Sequence, residues 1–214
     1  IKEMRQKVEK AKAEVEAERK GREESKSAVA ESGSQVKQKD AQIRKLKRHM
    51  KDVATAQVEN TFGGKNRLYV QFVVRLPGSI KLESFVAEMA PLSFMPLTVH
   101  YFLQQVQLGL WDNTVFNLNA DHVLMAQPQT LRGETKRQDF LKVPALPYRE
   151  YHKSYPHRPY TLGLNGDPGG PDFYINKIDN IESHGPDSEG NGAEPCFATV
   201  ILGKEVVDKM SELE

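Results

Sequence analysis

The sequence predicts a mainly β domain, a closed antiparallel barrel capped by two helices, preceded by a long N-terminal α-helix of coiled-coil character. Three observations predict it. Residues 1–55 hold neither proline nor aromatic side chain. Beyond Thr61, short apolar runs recur between Gly- and Pro-containing breaks, and two helical patterns stand far apart among those runs. Many short strands leave many open edges, and closing the sheet on itself removes them.

The first 55 residues are rich in Lys, Glu, Ala, Gln and Arg, which lose least on entering a helix. At seven-residue spacing stand Ile1, Val8, Val15, Arg22, Val29, Val36, Ile43 and Met50. Three positions later come Met4, Ala11, Glu18, Ser25, Ser32, Lys39, Leu46 and Val53. The first series is apolar apart from Arg22 and mostly β-branched, which at the a position of a heptad favours a parallel two-stranded coil. The second is apolar only towards its ends. With Gly21 and Gly33 added, the centre is expected to be frayed or a single helix. Self-association through residues 1–53 and a lone charged helix or linker are both compatible with this pattern. The basic run Lys37–Lys51 lacks the interleaved aromatics that stack on bases, so solvated helix surface is favoured over nucleic acid or an anionic membrane. Charge separates the two regions as well. Residues 1–55 carry 16 Lys and Arg against 10 Asp and Glu, a net +6, whereas the rest carries 14 against 19, a net −5. The expected organisation is a stalk over 1–58, a linker over 59–65 and a globular domain over 66–214.

Within that domain Leu68–Leu76 reads as a buried strand ended by Pro77-Gly78, and Ile80–Met89 as a second, alternating strand. Thr98–Leu108 has helical spacing. Further short strands are expected around Val115–Leu118, His122–Ala126, Tyr160–Leu164, Asp172–Asn176 and Cys196–Ile201, with a closing helix over Glu205–Leu213. The acidic, Gly-rich stretch Glu182–Pro195 reads as a mobile loop.

The single cysteine, Cys196, excludes an intrachain disulfide framework and a cysteine-cluster metal site. His122, His152, His157 and His184 make no metal-ligand spacing with it or with carboxylates. No metal and no cofactor is expected. No apolar run reaches the roughly 18–20 residues of a membrane span. The chain starts at Ile1 without an initiator Met, which leaves room for an upstream targeting or membrane segment, and the compartment is not readable.

Three segments resemble the cyclophilin-type peptidyl-prolyl isomerase family in order and spacing. Gly109–Leu118 (GLWDNTVFNL) is similar to the family's GYYDGTTFHR and follows a helix containing Phe102-Leu103, where the family has an NF pair. Leu162–Gly166 (LGLNG) and Gly170–Ile175 (GPDFYI) are similar to LSMAN and GSQFFI. Phe197–Met210 (FATVILGKEVVDKM) is similar to FGKVIEGMDVVDKI. The resemblance implies a barrel that seats proline in an apolar pocket, while an arginine hydrogen-bonds the prolyl amide and lowers a rotation barrier of about 20 kcal/mol.

By the same resemblance the peptide-binding residues are Phe116, Leu124, Met125, Gln127, Asn165, Gly166, Asp172 and Tyr174. Leu124, Met125 and Gln127 align once one extra residue is allowed before them. The position of the catalytic arginine is Leu118 and that of its neighbouring histidine is Asn117, so no catalytic residue is carried over. Asp172 replaces a glutamine, which would disfavour acidic peptides, and Tyr174 replaces a phenylalanine under the proline ring. Plain core packing remains the alternative for each pocket residue, above all for Phe116. The implied activity is that of a weak or inactive prolyl isomerase binding proline-containing peptide or protein segments. A structural tether whose coiled coil dimerises and whose head is a non-catalytic interaction module is the alternative.

Overall fold

The computed structural model describes residues 2–63, 67–187 and 192–213. The chain divides into two compact units, residues 1–49 and 50–214. Helix α1 spans Lys2–Phe62. Residues 2–12 and 14–49 are solvent-exposed, and the helix runs unbroken through Gly21 and Gly33, the single-helix alternative expected for the centre rather than the frayed one. Lys20 and Arg22, good helix formers, flank Gly21, and Glu31 and Gln35 stand two residues either side of Gly33. Ion pairs one turn apart, Glu18–Arg22 at 2.7 Å and Arg19–Glu23 at 3.6 Å, add support where the apolar seam fails. The seam lacks cover in the single chain: Val8, Val15, Val29, Val36, Ile43 and Leu46 are all exposed.

The second unit contains the last turns of α1, where Ala54 and Val58 are buried. Helix therefore extends to Phe62, through much of the segment expected as linker, because these small and β-branched side chains face the core. Residues 64–66 lie outside the described residues.

The strands are β1 (Tyr69–Arg75), β2 (Leu82–Met89), β3 (Thr114–Asn119), β4 (Val123–Thr130), β5 (Thr161–Leu164), β6 (Phe173–Asn176) and β7 (Cys196–Leu202). The helices after α1 are α2 (Pro96–Gln107), α3 (Arg137–Phe140), α4 (Ile181–His184) and α5 (Lys204–Ser211). All seven strands form one antiparallel sheet in the order β1-β2-β7-β5-β6-β4-β3. The sheet curls strongly. In a flat sheet β1 and β6, four places apart, would be separated by roughly 19 Å at about 4.8 Å per strand. Yet the rings of Phe72 in β1 and Phe173 in β6 lie 5.8 Å apart.

The expected closed barrel is not formed among the described residues: β1 and β3 are the two edges, with no ladder between them. Closure needs a continuous hydrogen-bond stagger around the axis. Here the hollow of the curl is instead filled by α2, whose Phe102 meets Phe72, Trp111, Phe173 and Phe197 with ring centroids between 4.8 and 6.4 Å. At the α2 N-terminus, Met95 provides no side-chain cap. The carboxylate of Glu150 does so from a distance in sequence, accepting from the Thr98 amide at 2.8 Å and its hydroxyl at 3.1 Å. Lys51 of α1 reaches the same carboxylate at 3.3 Å. Burial still raises the Glu150 pKa, against those hydrogen bonds and the lysine charge. At the other end Gly203, at φ +75, starts α5, and a Cβ there would lie 2.5 Å from the Ser84 carbonyl oxygen.

Candidate functional site

Alternation along β4 and β6 sorts the predicted pocket residues by face. The register pairs Leu124 with Ile175, Met125 with Tyr174 and Ala126 with Phe173. Leu124, Ala126, Phe173 and Ile175 point into the core and are almost wholly buried. Phe116 pairs with Ala126 and meets Phe173 edge-on at 5.6 Å, so it too packs on the core side. Phe116 and Leu124 are thus core residues. Met125, Gln127 and Tyr174 lie on the outer face.

A β-bulge in β3 brings two consecutive residues to that outer face. Between Phe116, opposite Ala126, and Leu118, opposite Met125, Asn117 is the extra residue. Its amide donates to the Oε1 atoms of Gln127 and Gln129, both at 2.7 Å. Leu118 lies opposite Met125 and is 45% exposed.

Beside Met125 the polar groups converge on Asp172, which immediately precedes β6. Its Oδ2 accepts from Gln127 Nε2 at 3.1 Å and from Arg137 Nη2 at 2.7 Å. The Asp172 side chain is only 9% exposed, whereas that of Arg137, the first residue of α3, is 50% exposed. The second carboxylate oxygen, Oδ1, is buried without a hydrogen-bond partner. Asp172 therefore presents no free negative charge at the rim, contrary to the expectation from sequence, because an arginine 35 positions upstream in the chain neutralises it. The Asn165 amide donates to the Asp172 carbonyl at 2.9 Å. Its side chain and that of Gln127 both approach Met125 Sδ at 4.0 Å, a weak acceptor. Gly166 is exposed at φ +96. Its carbonyl accepts from Arg149 Nη2 at 2.9 Å, and Arg149 Nη1 donates to the Gly192 carbonyl at 2.6 Å, so one guanidinium ties two loops together.

Tyr174 is 1% exposed and does not present an open aromatic floor. Its ring lies across Gly163, where a Cβ would come within 2.4 Å of the ring. Its hydroxyl donates to Glu194 Oε2 at 2.5 Å, and His184 Nδ1 meets the same oxygen at 3.0 Å. The His184 ring sits 4.9 Å from the Tyr174 ring. His157, fully buried, has Nε2 at 3.0 Å from the Glu194 carbonyl oxygen, which makes Nδ1 the acceptor. Burial lowers the His157 pKa, outweighing that hydrogen bond. For Glu194 burial pushes upward, but hydrogen bonds from His184 and Tyr174 and the imidazole charges overcome it and leave the carboxyl below its usual range. Burial and the Glu194 charge hold the Tyr174 hydroxyl well above the ordinary phenol range. The segment expected as a mobile loop thus holds all but the first residue of the short helix α4, together with two residues, His184 and Glu194, that cover Tyr174. Its residues 188–191 lie outside the described residues.

The structure therefore gathers Leu118, Met125, Gln127, Asn165 and Asp172 on one face and sets Phe116 and Leu124 on the other. Arg137, Arg149, His157, His184 and Glu194 border this face but were not among the predicted site residues. Their partners are distant in sequence, and no local motif marks them. Among the described residues no group of three or more His, Cys, Asp or Glu side chains could hold a metal ion. Nor is any helix among them long and apolar enough to cross a membrane.

No protein-family model and no curated protein sequence matches this chain. Among solved structures it is similar to two crystal structures of a Cryptosporidium parvum cyclophilin type peptidyl-prolyl cis-trans isomerase, one of them determined in the presence of the dipeptide Ala-Pro. Both are 16% identical with a TM-score of 0.44, covering 61% of this chain and 79% and 80% of theirs.

Proposed function

We propose that residues 66–214 are a cyclophilin-like module that binds proline-containing peptide or protein segments and isomerises them weakly or not at all. The observation that carries the reading is Leu118. It stands exposed on the outer face, opposite Met125 and one residue from Asn117, which is tied to Gln127. This is where the sequence resemblance calls for a guanidinium. A leucine donates no hydrogen bond, and losing one transition-state donor costs about 2.7–4 kcal/mol, roughly a hundred- to a thousandfold in rate. The neighbouring apolar and amide groups can still hold a prolyl ring and its flanking amides.

The test is exchange NMR on a short Xaa-Pro peptide with the unmodified chain and with Leu118→Arg. Peptide shift changes without faster exchange, and acceleration on introducing the arginine, are the expected results. Strong acceleration by the unmodified chain would show that Leu118 does not disable the site, and an absence of binding would remove the reading.

A tether is the second reading, and the exposed a and d positions of α1 favour it. Val15 at 65% and Val29 at 72% exposure are apolar side chains with no cover in one chain. A second α1 would cover them, and pairing would make the head bivalent, so that weak contacts add through effective concentration. Sedimentation equilibrium should then give a dimer for the full chain and a monomer for a Val15→Asp, Val29→Asp variant. A monomeric full chain at micromolar concentration would exclude pairing through α1.

A further inference from the structure

Arg137 is held in place on both its backbone and its side chain. A tight turn delivers it: the Thr130 amide bonds the Glu134 carbonyl at 2.9 Å and the Lys136 amide bonds the Pro128 carbonyl at 2.7 Å. The Lys136 ammonium pins the same turn to the carbonyls of Leu110 and Asp112, both at 2.9 Å. At the side chain, Asp172 takes Nη2 on the buried side. A guanidinium has five N–H donors in a planar fork. Asp172 Oδ2 engages one of those nitrogens, and half of the Arg137 side chain is exposed to solvent. Gln127 links this group to Met125, since its Nε2 lies 3.1 Å from Asp172 Oδ2 and 4.0 Å from Met125 Sδ. The result is an anchored donor beside an apolar ledge made by Met125 and the exposed Leu118.

We propose that Arg137 is the ligand-binding donor of this face, hydrogen-bonding a backbone carbonyl oxygen of a bound peptide whose prolyl ring rests on Met125 and Leu118. The proposal rests on the peptide-binding reading above and adds to it the residue that selects the ligand. Asp172 decides which acceptor is taken. With its charge balanced by the carboxylate, the guanidinium suits a neutral carbonyl oxygen better than a carboxylate or phosphate, and its orientation is set in advance. Asp172 is therefore a positioning residue and Arg137 the group that touches the ligand.

The test is an NMR titration of the full chain with two blocked peptides, acetyl-Ala-Ala-Pro-Phe-amide and acetyl-Ala-Glu-Pro-Phe-amide. Arg137→Ala should weaken the neutral peptide about tenfold or more, as expected for a charge-assisted hydrogen bond, with amide spectra otherwise unchanged. Arg137→Lys should fall between. Asp172→Asn should weaken the neutral peptide and strengthen the acidic one, a reversal of preference that general loosening would not produce. Equal affinity of Arg137→Ala and the unmodified chain would overturn the proposal while leaving peptide binding intact. Failure of the unmodified chain to bind either peptide would overturn both. Unchanged preference in Asp172→Asn would overturn the role given to the carboxylate.

Discussion

The two faces of β4 and β6 are made by alternate residues of the same two strands and have opposite chemistry. Inward, Leu124, Ala126, Phe173 and Ile175 join an aromatic cluster in which Phe173 alone meets the rings of Phe72, Phe102, Trp111 and Phe116. Outward, Met125, Gln127, Tyr174 and Asn176 carry amides, a thioether and a phenol bound into hydrogen-bond networks. A motif that runs along a strand mixes the two. A resemblance carried by consecutive residues therefore transfers a core and a site together, and only the parity of each position separates them. The inner face packs the core of the head, and on the function proposed above the outer face is the one that holds a ligand.

The sharpest way to break that division is on the inner face. Phe173→Ala removes the ring at the centre of the aromatic cluster, at a position 1% exposed. A loss of about 3–5 kcal/mol is expected, read as a lower urea midpoint with little change in slope. A loss below about 1 kcal/mol would mean that the cluster is not the core of the head.

On the outer face the largest effect should come from Gly163. The Tyr174 ring occupies the space a side chain would need, with Cζ 2.4 Å from an added Cβ. Gly163→Ala is expected to cost about 1–3 kcal/mol, as overpacking generally does. It should also alter the near-ultraviolet circular dichroism, because Tyr174 must leave Glu194. A stable variant with an unchanged tyrosine signal would show that the backbone around Gly163 yields and the ring keeps its place.

Much of the division was legible in the sequence. The long N-terminal helix, the main strands and both longer helices of the head fall within a few residues of their expected places, and in the head this is because periodicity reports burial directly. Closure was not legible, since strand count and spacing are the same for an open curl and a barrel. The opposite facing of Phe173 and Tyr174 follows from alternation alone. The bulge at Asn117 does not, because an extra residue looks like any other until the pairing register is known. Arg137 and Glu194 were hidden for a different reason. Glu194 lies in the stretch that reads as a mobile loop and Arg137 between the expected strands with no motif of its own, and each acquires its meaning from a buried partner, Asp172 or Tyr174, that only the fold supplies.

Acid should separate the faces next, by less than either substitution. The His157 pKa is lowered from an ordinary value of 6.5, so the unfolded chain takes up this proton more readily than the folded one. Its contribution is fully present above pH 6.5 and is lost as the pH falls through the folded value. Glu194, lowered from 4.5, behaves likewise at lower pH. Glu150 opposes both: with its pKa raised, its contribution is present below pH 4.5 and is lost as the pH rises through the folded value. The groups facing His157 and Glu194 are His184, Tyr174 and Arg149, with Cys196 close to Tyr174. Urea midpoints measured from pH 7 to pH 5 should decline, and the decline should flatten in His157→Gln. An unflattened decline would assign it to other groups.

The smallest effect tests where the outer face is open. Leu118 is 45% exposed on an edge strand, and its cross-strand neighbour is Met125 of the outer face. Leu118→Gln removes little buried apolar area and leaves no buried polar group unpaired, so stability should stay within about 0.5 kcal/mol. The same substitution takes half of the apolar ledge away from a bound prolyl ring and should weaken peptide binding measurably. Stability and binding then part company at one residue, as they must if the outer face serves ligands and the inner face serves the fold. A loss of stability approaching that of Phe173→Ala would instead place Leu118 inside the packing, and the ledge beside Arg137 would rest on Met125 alone.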